Sequence, residues 1–370
     1  MPSLSWPSVA LSTGLACATA AAAPLGLPEV PVPPDNTQNS ARIALGDRLF
    51  HDPRLSSTGA VSCATCHQAA SAFTDSPLAV SKGVGGALGQ RNAPTVLNAV
   101  YLSSQFWDGR AGTLEEQALQ PLFNAVEMGL PSVDAALAII RVDPDYPTRF
   151  REAFGPQTEP SAETLAQAIA SYERTLVAGD SPFDRYQFAG DKTAMSPAAV
   201  RGLAVFTAWG RCVTCHTIEK THATFTDNRF HNVGIGFNRY PEEIESLAAG
   251  MPPPRIAYRE QTPPTPDRLA SELGRFAVTR EKNDLGAFRT PGLRNVALTA
   301  PYMHDGSLRT LREVVLHYVR GGFSPGDRAR NKHLDRAINF LELSNAQVDD
   351  LVEFLKALTS PGVQGTPTEH

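Results

Sequence analysis

Apolar side chains recur at helical spacing in two long segments of the chain, residues 161–177 and 345–358. Within each segment they are three or four positions apart, which places them on one face of a helix. In the first segment this face consists of Leu165, Ala168, Ile169, Tyr172 and Leu176. In the second segment it consists of Leu351, Phe354, Leu355 and Leu358. Because no convincing run of alternating apolar and polar residues accompanies them, the pattern predicts an all-α protein.

Two further helical segments lead directly into cysteine-containing motifs. Residues 40–50, SARIALGDRLF, precede the sequence CATCH, and residues 196–209, SPAAVRGLAVFTAW, precede CVTCH. Ser196 is predicted to cap the second of these helices, with Pro197 at its first position. We therefore expect each half of the chain to begin with a helix that is followed at once by such a motif.

Another predicted helix begins near residue 310 and carries a tyrosine close to its end. Its apolar stripe consists of Leu311, Val314, Val315 and Tyr318. This spacing is typical of the buried face of a helix. The preceding residue, His317, is rotated by about 100° around the helix axis. The pattern therefore predicts that Tyr318 points inward and that His317 points elsewhere.

The chain repeats itself at an offset of 197 residues, with seven identical pairs between residues 94 and 116 and their partners. The pairs are Pro94 and Pro291, Asn98 and Asn295, Asp108 and Asp305, Gly109 and Gly306, Thr113 and Thr310, Leu114 and Leu311, and Glu116 and Glu313. The cysteine motifs are only 149 residues apart, so the second half carries 197 − 149 = 48 additional residues. Much of this insertion is predicted to form an irregular loop at the proline-rich residues 251–267. We predict two related domains, at residues 40–190 and 191–360.

The overall composition is typical of a globular protein that does not bind nucleic acid. Of the 370 residues, 42% are hydrophobic and 19% are charged. The chain has 33 Lys and Arg residues against 38 Asp and Glu residues, a net charge of −5, and no run of basic residues. These features argue against a nucleic-acid partner, and the length suits about two domains.

The first 23 residues are apolar and alanine-rich and contain no charged side chain. They resemble the apolar and cleavage regions of a signal peptide, so we predict export to the periplasm. The usual basic start is missing, and GLAC resembles an incomplete lipoprotein box, so acylation of Cys17 stays an alternative. Residues 24–39 are predicted to form a flexible leader. No later run reaches the ~18 apolar residues of a membrane span.

Four of the five cysteines lie in two copies of the pattern C-x-x-C-H. The copies consist of Cys63, Cys66 and His67 and of Cys212, Cys215 and His216. The spacing is the signature of covalent haem c attachment, in which the thiols bond the porphyrin and the histidine ligates the iron. A zinc site would need four ligands in one closed centre, and a thioredoxin-type pair does not need the histidine. The sequence therefore predicts two covalent haem c groups in two cytochrome c-like helical domains.

The two halves differ where a sixth ligand of the iron is expected, well after each motif. In the second half this position is occupied by Tyr318. Tyr318 is either an ordinary core tyrosine or a phenolate ligand of the second haem. At the matching position of the first half stands Pro121, which has no atom able to bind iron. No histidine occurs between His67 and His216. We therefore expect one capped iron and one open iron.

Long stretches of the chain resemble the bacterial dihaem cytochrome c peroxidase family, specifically its MauG-like branch. The resemblance covers nearly all of residues 40–358 and rests on LFHDPRLSSTGAVSCATCH, GQRNAPTVLNAVYLSSQFWDGRAGTLEEQALQPLFNAVEMG, CVTCHT, FTDNRFHNVGIG and FRTPGLRNVALTAPYMHDGSLRTLREVV. It implies that His67 is the proximal ligand of a high-spin, peroxidatic haem and that Trp107 lies between the haems. It also implies that Gln117 and Glu127 belong to the distal pocket.

The resemblance further implies one calcium ion between the domains. Its ligands would be Asn92 and the backbone carbonyls of Thr299 and Pro301, since calcium prefers oxygen donors. Two departures from the classical peroxidases matter. The segment SKGVGGALGQ contains no histidine to cap the peroxidatic haem, with Val84 near the expected place, and Tyr318 stands where classical members have methionine. An anionic oxygen ligand lowers the reduction potential, which suggests activity without prior reductive activation.

Other ligands for the second haem stay open at this point, namely Met303, His304 or no sixth ligand. The substrate that suits an open ferric haem is hydrogen peroxide, with Glu127 as the base and Gln117 assisting by hydrogen bonding. Three functions follow: a peroxidase supplied by a cytochrome c or cupredoxin, a MauG-like enzyme that oxidises residues of a partner protein such as a tryptophylquinone precursor, or a non-enzymatic dihaem electron carrier. The oligomeric state, a homodimer included, stays open.

Overall fold

Helices dominate the computed structural model, which describes residues 23–252, 268–329 and 331–365. The first helices are α1 (Ser40–Phe50), α2 (Cys63–Cys66), α3 (Leu114–Phe123), α4 (Val133–Val142), α5 (Tyr146–Phe154), α6 (Ala162–Glu173) and α7 (Pro182–Phe188). They are followed by α8 (Pro197–Thr207), α9 (Pro241–Ala249), α10 (Arg268–Ser271), α11 (Phe276–Thr279), α12 (Leu311–Val319) and α13 (Asn345–Lys356). A short antiparallel sheet pairs β1 (Phe230–His231) with β2 (Phe288–Arg289). The all-α prediction is confirmed.

The helix boundaries follow from side-chain caps that the sequence supplies. Ser161, Ser196 and Ser344 cap α6, α8 and α13, each through its side-chain oxygen. Pro197 occupies the first position of α8, as predicted. The α12 helix begins after Thr310, whose side chain accepts a hydrogen bond from the backbone of Glu313 in a capping box. These four helices are therefore fixed at their starts by local chemistry.

Each half builds its own hydrophobic core. In the first core the faces of α1, α3 and α6 meet, and Leu165, Ala168 and Ile169 of α6 are fully buried. In the second core α8, α12 and α13 meet, and the whole predicted face of residues 345–358 is buried. Phe183 of α7 also packs in the second core, although the predicted domain boundary lies later, at residue 190. Burial of this aromatic side chain therefore brings the end of the predicted first domain onto the second.

The internal repeat is visible in matched helix crossings. At the α1–α6 crossing, a Cβ added to Gly46 would lie 1.9 Å from the carbonyl oxygen of Ala168. At the α8–α13 crossing, a Cβ added to Gly202 would lie 2.0 Å from the carbonyl oxygen of Asp350. Only glycine allows backbones to approach this closely. The helix that leads into each motif is thus docked in the same way in both halves.

The repeat also extends to the turns that follow each motif. Asn98 and Asn295, which are 197 residues apart, both adopt the left-handed conformation, with φ of 64° and 62°. Short bridges pair Gln105 with Ala111 in one half and, at the same offset, Tyr302 with Leu308 in the other. Helices α3 and α12 then begin at equivalent positions. The segment that bears the expected distal residues is therefore built twice on one plan.

Residues 24–39 are not the free leader that their composition predicts. The carbonyl oxygen of Gly26 accepts hydrogen bonds from Arg294 at 2.6 Å and from the backbone N–H of Ala223 at 3.0 Å, both in the second half. Asn36 is buried in the first half and donates to Glu115 and to the carbonyl oxygen of Gln167. This segment is therefore held by hydrogen bonds to both halves, through the backbone of Gly26 and the side chain of Asn36.

Some sequence predictions fall outside the described residues. These are the signal peptide at residues 1–23, except for its last residue, and Cys17. The irregular loop predicted at residues 251–267 also lies outside, except for its first two residues. Among the residues that are described, no helix is both long enough and apolar enough to cross a membrane.

Candidate active site

The first cavity, of about 320 Å³, lies beside the amino-terminal cysteine motif. Cys63, Cys66 and His67 all line it. His67 follows the single turn of α2, and its Nδ1 contacts the carbonyl oxygen of Phe73 at 3.2 Å. This contact places the N–H on Nδ1, so the other ring nitrogen is free to bind a metal. Burial lowers the pKa of His67, which keeps the imidazole in the neutral form that a ligand requires.

The second cavity, of about 260 Å³, repeats this arrangement with Cys212, Cys215 and His216. The Nδ1 atom of His216 contacts the carbonyl oxygen of Phe225 at 2.8 Å. Phe225 and its counterpart in the first half, Phe73, both have a φ of 56°. The same left-handed turn therefore orients both motif histidines.

The donor atoms in both cavities fit covalent haem c. None of the four motif cysteines forms a disulfide, so all four thiols are available. Burial raises the pKa of Cys66 to about 11 and that of Cys212 to about 12, so these are neutral thiols beside largely apolar walls. Two thiols and one neutral imidazole per cavity are the set that haem c attachment uses. The prediction of two haem sites is therefore supported by the side chains present.

Three residues of the first cavity lie where the distal groups were expected. Gln117 and Pro121 extend from α3, and Glu127 follows in the next loop. The Oε1 atom of Glu127 accepts a hydrogen bond from the side chain of Asn124 at 2.7 Å. Burial raises the pKa of Glu127, and the opposing effects of Arg110 and Asn124 do not cancel this rise. The fold thus collects a half-buried carboxyl, an amide and a side chain without donor atoms in one cavity.

Tyr318 lines the second cavity from α12. Its side chain is half-exposed to this space, so it is not simply packed in the core. Burial raises the pKa of its phenol. The neighbouring His317 is the more buried of the two, and its ring nitrogens contact Ser324 at 2.7 Å and the carbonyl oxygen of Val233 at 2.8 Å. The helical pattern correctly predicted that Tyr318 and His317 point in different directions. It did not predict that His317 would be buried in the protein interior.

The two alternative ligands, Met303 and His304, also line the second cavity. His304 is occupied by other contacts: its Nε2 lies 2.9 Å from the carboxylate of Glu272, and its ring stacks on Phe288 at 3.5 Å between centroids. A histidine held in this way is poorly placed to bind iron. Tyr318 and Met303 therefore stay as candidate ligands, and the assignment to Tyr318 stays a prediction.

Trp107 is shared by both cavities. Its indole N–H donates to the carbonyl oxygen of Asn92 at 2.9 Å, and its own carbonyl oxygen accepts from the backbone N–H of Arg289 at 2.8 Å. At the offset of 197 residues its partner in the repeat is His304, and the two rings lie 6.4 Å apart. Trp107 is thus fixed at the junction where the two cavities approach each other.

The three residues expected to bind calcium all line the second cavity: Asn92, Thr299 and Pro301. The amide nitrogen of Asn92 makes long contacts, 3.2 and 3.3 Å, to two carbonyl oxygens. A different group, Cys215, Asp227 and His231, brings its donor atoms within 4.8 Å of one another. Because Cys215 belongs to the haem motif and His231 is held by two carboxylates, we do not assign a second metal there.

Sequence reasoning missed two buried charged groups at these cavities. Glu173 of α6 lines the first cavity, and Arg289 lines both. Glu173 could have been found, because it lies four residues after Ile169 on a face predicted to be apolar. Arg289 gave no such signal, because it lies in the short strand β2 and reaches the cavities only through the packing of the two halves.

Comparisons with known proteins agree with this architecture. Residues 40–193 match the family described as di-haem cytochrome c peroxidase. The chain is 37% identical over 376 residues to cytochrome-c peroxidase IdrP1 of Denitromonas iodatirespirans, covering 97% of this chain and 95% of that protein. It is 35% identical to the methylamine utilization protein MauG of Methylorubrum extorquens, covering 89% and 81%.

A solved structure shows the same fold. It is the crystal structure of a MauG-like protein associated with microbial copper homeostasis, which superposes with a TM-score of 0.74 at 32% identity and covers 93% of this chain and 97% of that one. Two cavities with complete haem c attachment motifs, in a chain that aligns almost end to end with such relatives, define its class. The protein is a peroxidase-type oxidoreductase with two haem c groups, and it belongs to the di-haem cytochrome c peroxidase family.

Proposed function

We propose that this protein reduces hydrogen peroxide to water in the periplasm, with electrons from a protein donor relayed through the second haem. The observation that supports this most directly is the asymmetry of the cavities. The first contains Gln117, Pro121 and Glu127, whereas the second contains Tyr318 at the position equivalent to Pro121. One cavity thus keeps space and a proton acceptor for a small substrate, and the other offers a phenol to its cofactor.

Haem c supplies the iron that binds peroxide and the electrons that cleave its O–O bond. The chain supplies the proton transfers. Asn124 holds Oε1 of Glu127, which leaves Oε2 to accept a proton from the peroxide and return it to the departing oxygen. With the raised pKa of Glu127, return of this proton is easier than from an exposed carboxylate. Gln117 orients the substrate from α3. The overall reaction consumes two electrons and two protons and forms two water molecules.

Trp107 is proposed to carry electrons between the two sites. It lines both cavities, and two backbone hydrogen bonds fix its indole and its carbonyl group. A rigid aromatic ring between two redox centres shortens the distance that an electron must cross through saturated groups. The role is compatible with packing, because the hydrogen bond from the backbone of Arg289 also joins the two halves.

A calcium ion is proposed at the junction of the two halves, held by the side chain of Asn92 and the carbonyls of Thr299 and Pro301. These oxygen donors suit a hard cation. The backbone N–H of Asn92 also donates to the carbonyl oxygen of His304 at 2.7 Å, and its carbonyl oxygen accepts from Trp107. A cation there would stiffen the segment that positions the tryptophan.

The experiment that tests the proposed function is electron paramagnetic resonance of the resting ferric protein. We expect one high-spin and one low-spin haem. Replacing Tyr318→Met or Tyr318→His is expected to move only the low-spin signal, because the phenol faces the second cavity alone. Two low-spin signals in the unmodified protein would contradict the proposal and would favour a simple electron carrier.

A MauG-like activity, oxidation of residues in a partner protein, is the second candidate. The specific observation in its favour is Tyr318 in the second cavity, because an anionic oxygen ligand disfavours easy reduction by a high-potential cytochrome. Steady-state turnover of peroxide with reduced cytochrome c or a reduced cupredoxin separates the two. Rapid oxidation of either donor favours the first candidate. Peroxide consumption that requires a partner protein, whose residues become oxidised, favours the second.

A further inference from the structure

Arg289 is a buried cation that forms no ion pair within the part of the chain that the structure describes. Only 3% of the surface of Arg289 is exposed. Burial lowers the pKa of its guanidinium only to about 10, so the group is charged at neutral pH. Its side chain donates two long hydrogen bonds, each 3.3 Å, to the carbonyl oxygens of Phe106 and Thr290. Among the described residues, no carboxylate lies within ion-pair distance of it. A buried charge in this state costs free energy unless something else compensates it.

Other buried arginines in the same protein are paired. Arg294 forms a two-pronged ion pair with Asp184, at 2.7 and 2.8 Å, and also donates to backbone carbonyls. Arg174 pairs with Glu115 at 2.7 Å. The fold therefore usually places a carboxylate beside a guanidinium that it buries. Arg289 lacks such a pairing among the described residues, and it lies at the junction of the two haem cavities.

The charges around Arg289 leave an excess of positive charge. The nearest acidic group is Asp108, which acts on Arg289 beyond ion-pair distance. Asp108 already pairs with Arg91 at 2.7 Å and with Arg110 at 3.1 Å, and these cations lower its pKa. Three guanidinium groups thus surround one carboxylate, so this cluster has an excess of two positive charges, while the carboxyl groups of Glu127 and Glu173 line the same cavity. Arg289 extends this excess to the second cavity, which it also lines.

We propose that Arg289 contacts the anionic carboxylate groups of both haems and acts as one positive charge shared by the two sites. Haem carries two propionate carboxylates, which are the anions that the cavities would bring to this wall. A guanidinium suits this role because its fork of N–H donors binds carboxylates directionally and because it stays charged when buried. The inference needs only the two haems and does not depend on the substrate or the donor.

A shared charge has a measurable consequence for the redox properties. Reduction adds one negative charge to an iron centre, and a buried cation nearby stabilises the reduced state because the low local dielectric screens it weakly. Arg289 therefore raises the reduction potential of each haem. A merely structural role, in which it only holds the carbonyl oxygens of Phe106 and Thr290, would leave both potentials almost unchanged.

The test is a spectroelectrochemical titration of the holoprotein with three substitutions at this position. Arg289→Met removes charge and donors, Arg289→Gln removes the charge but keeps N–H donors for the two carbonyls, and Arg289→Lys keeps the charge. We expect Arg289→Met and Arg289→Gln to lower both midpoint potentials, and Arg289→Lys to stay close to the unmodified protein. The matched control is Arg275→Met. Arg275 also joins the halves, through the carbonyl oxygens of Asp108 and Gly109, but lines neither cavity.

Each outcome decides the proposal. A shift of only one potential, no shift, or the same shift in Arg289→Lys and Arg289→Gln would overturn it, as would an equal shift in the Arg275 control. If both neutral variants failed to incorporate haem while Arg289→Lys incorporated two, the need for the charge would support the proposal. If all three variants failed to incorporate haem, the role would be one of shape and the proposal would be wrong.

Discussion

The two halves of this protein use one scaffold for two different cavities. Tyr172 and Phe354 pack on the matching glycines of the two helix crossings, so the residues that follow them, Glu173 and Leu355, are equivalent. Glu173 lines the first cavity, and Leu355 lines the second. At the equivalent positions Pro121 and Tyr318 the difference is reversed, because the polar side chain is in the second cavity.

These differences teach that a few side chains, rather than the fold, distinguish the two cavities. Both cavities share the attachment motif, the histidine orientation and the helix crossings. The first contains two carboxyl groups, those of Glu127 and Glu173, and has Pro121, which carries no donor atom, at the position equivalent to Tyr318. The second is lined by the phenol of Tyr318 and by Leu355. Exchanging single residues between equivalent positions should therefore move one cavity toward the character of the other.

The largest effect is expected from Glu127→Gln, which removes the proton acceptor that distinguishes the first cavity. Peroxide turnover should fall by roughly 10²- to 10⁴-fold, the usual contribution of a positioned acid–base group. Steady-state assays at equal haem content check this. The control is Glu152→Gln, an exposed glutamate on α5, which should leave turnover unchanged. If the turnover of the Glu127 variant stayed within about threefold of that of the unmodified protein, Glu127 would not be the proton acceptor for peroxide.

The difference between the two cavities is removed most directly by Pro121→Tyr, which puts a phenol at the position equivalent to Tyr318. We expect the high-spin ferric signal to diminish and peroxide turnover to drop at least about tenfold, since the vacant position becomes filled. Electron paramagnetic resonance and steady-state kinetics measure the two effects. Pro121→Ala serves as the control, because it changes the helix without adding a ligand, and it should keep the high-spin signal. Equal behaviour of both variants would argue against equivalence of the two positions.

The shared scaffold is tested by Gly202→Ala, because the added methyl group would meet the carbonyl oxygen of Asp350 at 2.0 Å. Separation of α8 from α13 should cost about 3 kcal/mol of unfolding free energy, in the upper range for overpacking. Thermal denaturation followed by circular dichroism detects this. Gly250→Ala is the matched control, since its nearest neighbour would lie at 3.7 Å. A similar melting temperature for both variants would contradict the tight crossing.

A smaller, pH-dependent effect is expected from Glu173→Gln. Burial raises the pKa of Glu173 to about 8 from 4.5, so between these values the folded protein holds a proton that the unfolded chain has released. The unmodified protein therefore loses stability as the pH rises from 4.5 to 8. A shift of this size corresponds to on the order of 5 kcal/mol. Burying the amide costs up to ~3 kcal/mol, so the net gain is at least about 2 kcal/mol.

Denaturant unfolding at several pH values measures this difference. The advantage of the Glu173→Gln variant should be absent near pH 4.5, should grow up to pH 8 and should then stay constant. Glu163→Gln, near the solvent at the start of the same helix, provides the control and should show no such trend. An advantage that did not change with pH would mean that Glu173 is ionised in the folded protein.

The sequence was sufficient for features that depend on local pattern or covalent chemistry. It predicted the helices around each motif and the separation of Glu127 and Tyr318 into different halves, and the six motif residues that it selected line the two cavities. It could not predict the pairing of His304 with Glu272 or the place of Arg289, because these depend on how distant segments pack. His317 illustrates the limit: helical periodicity gives the angle between neighbours, but not which side faces a cavity and which faces the protein interior.

The contacts of residues 24–39 bear on how an exported chain would mature. The carbonyl oxygen of Gly26 serves both Arg294 and Ala223 in the second half, while Asn36 is anchored in the first. Processing by a signal peptidase only a few residues beyond position 23 would delete that carbonyl and leave a buried guanidinium short of an acceptor. The cleavage position would then decide how strongly the two haem-bearing halves are held together. Residues near the new amino terminus would stabilise the association of the halves in the mature enzyme.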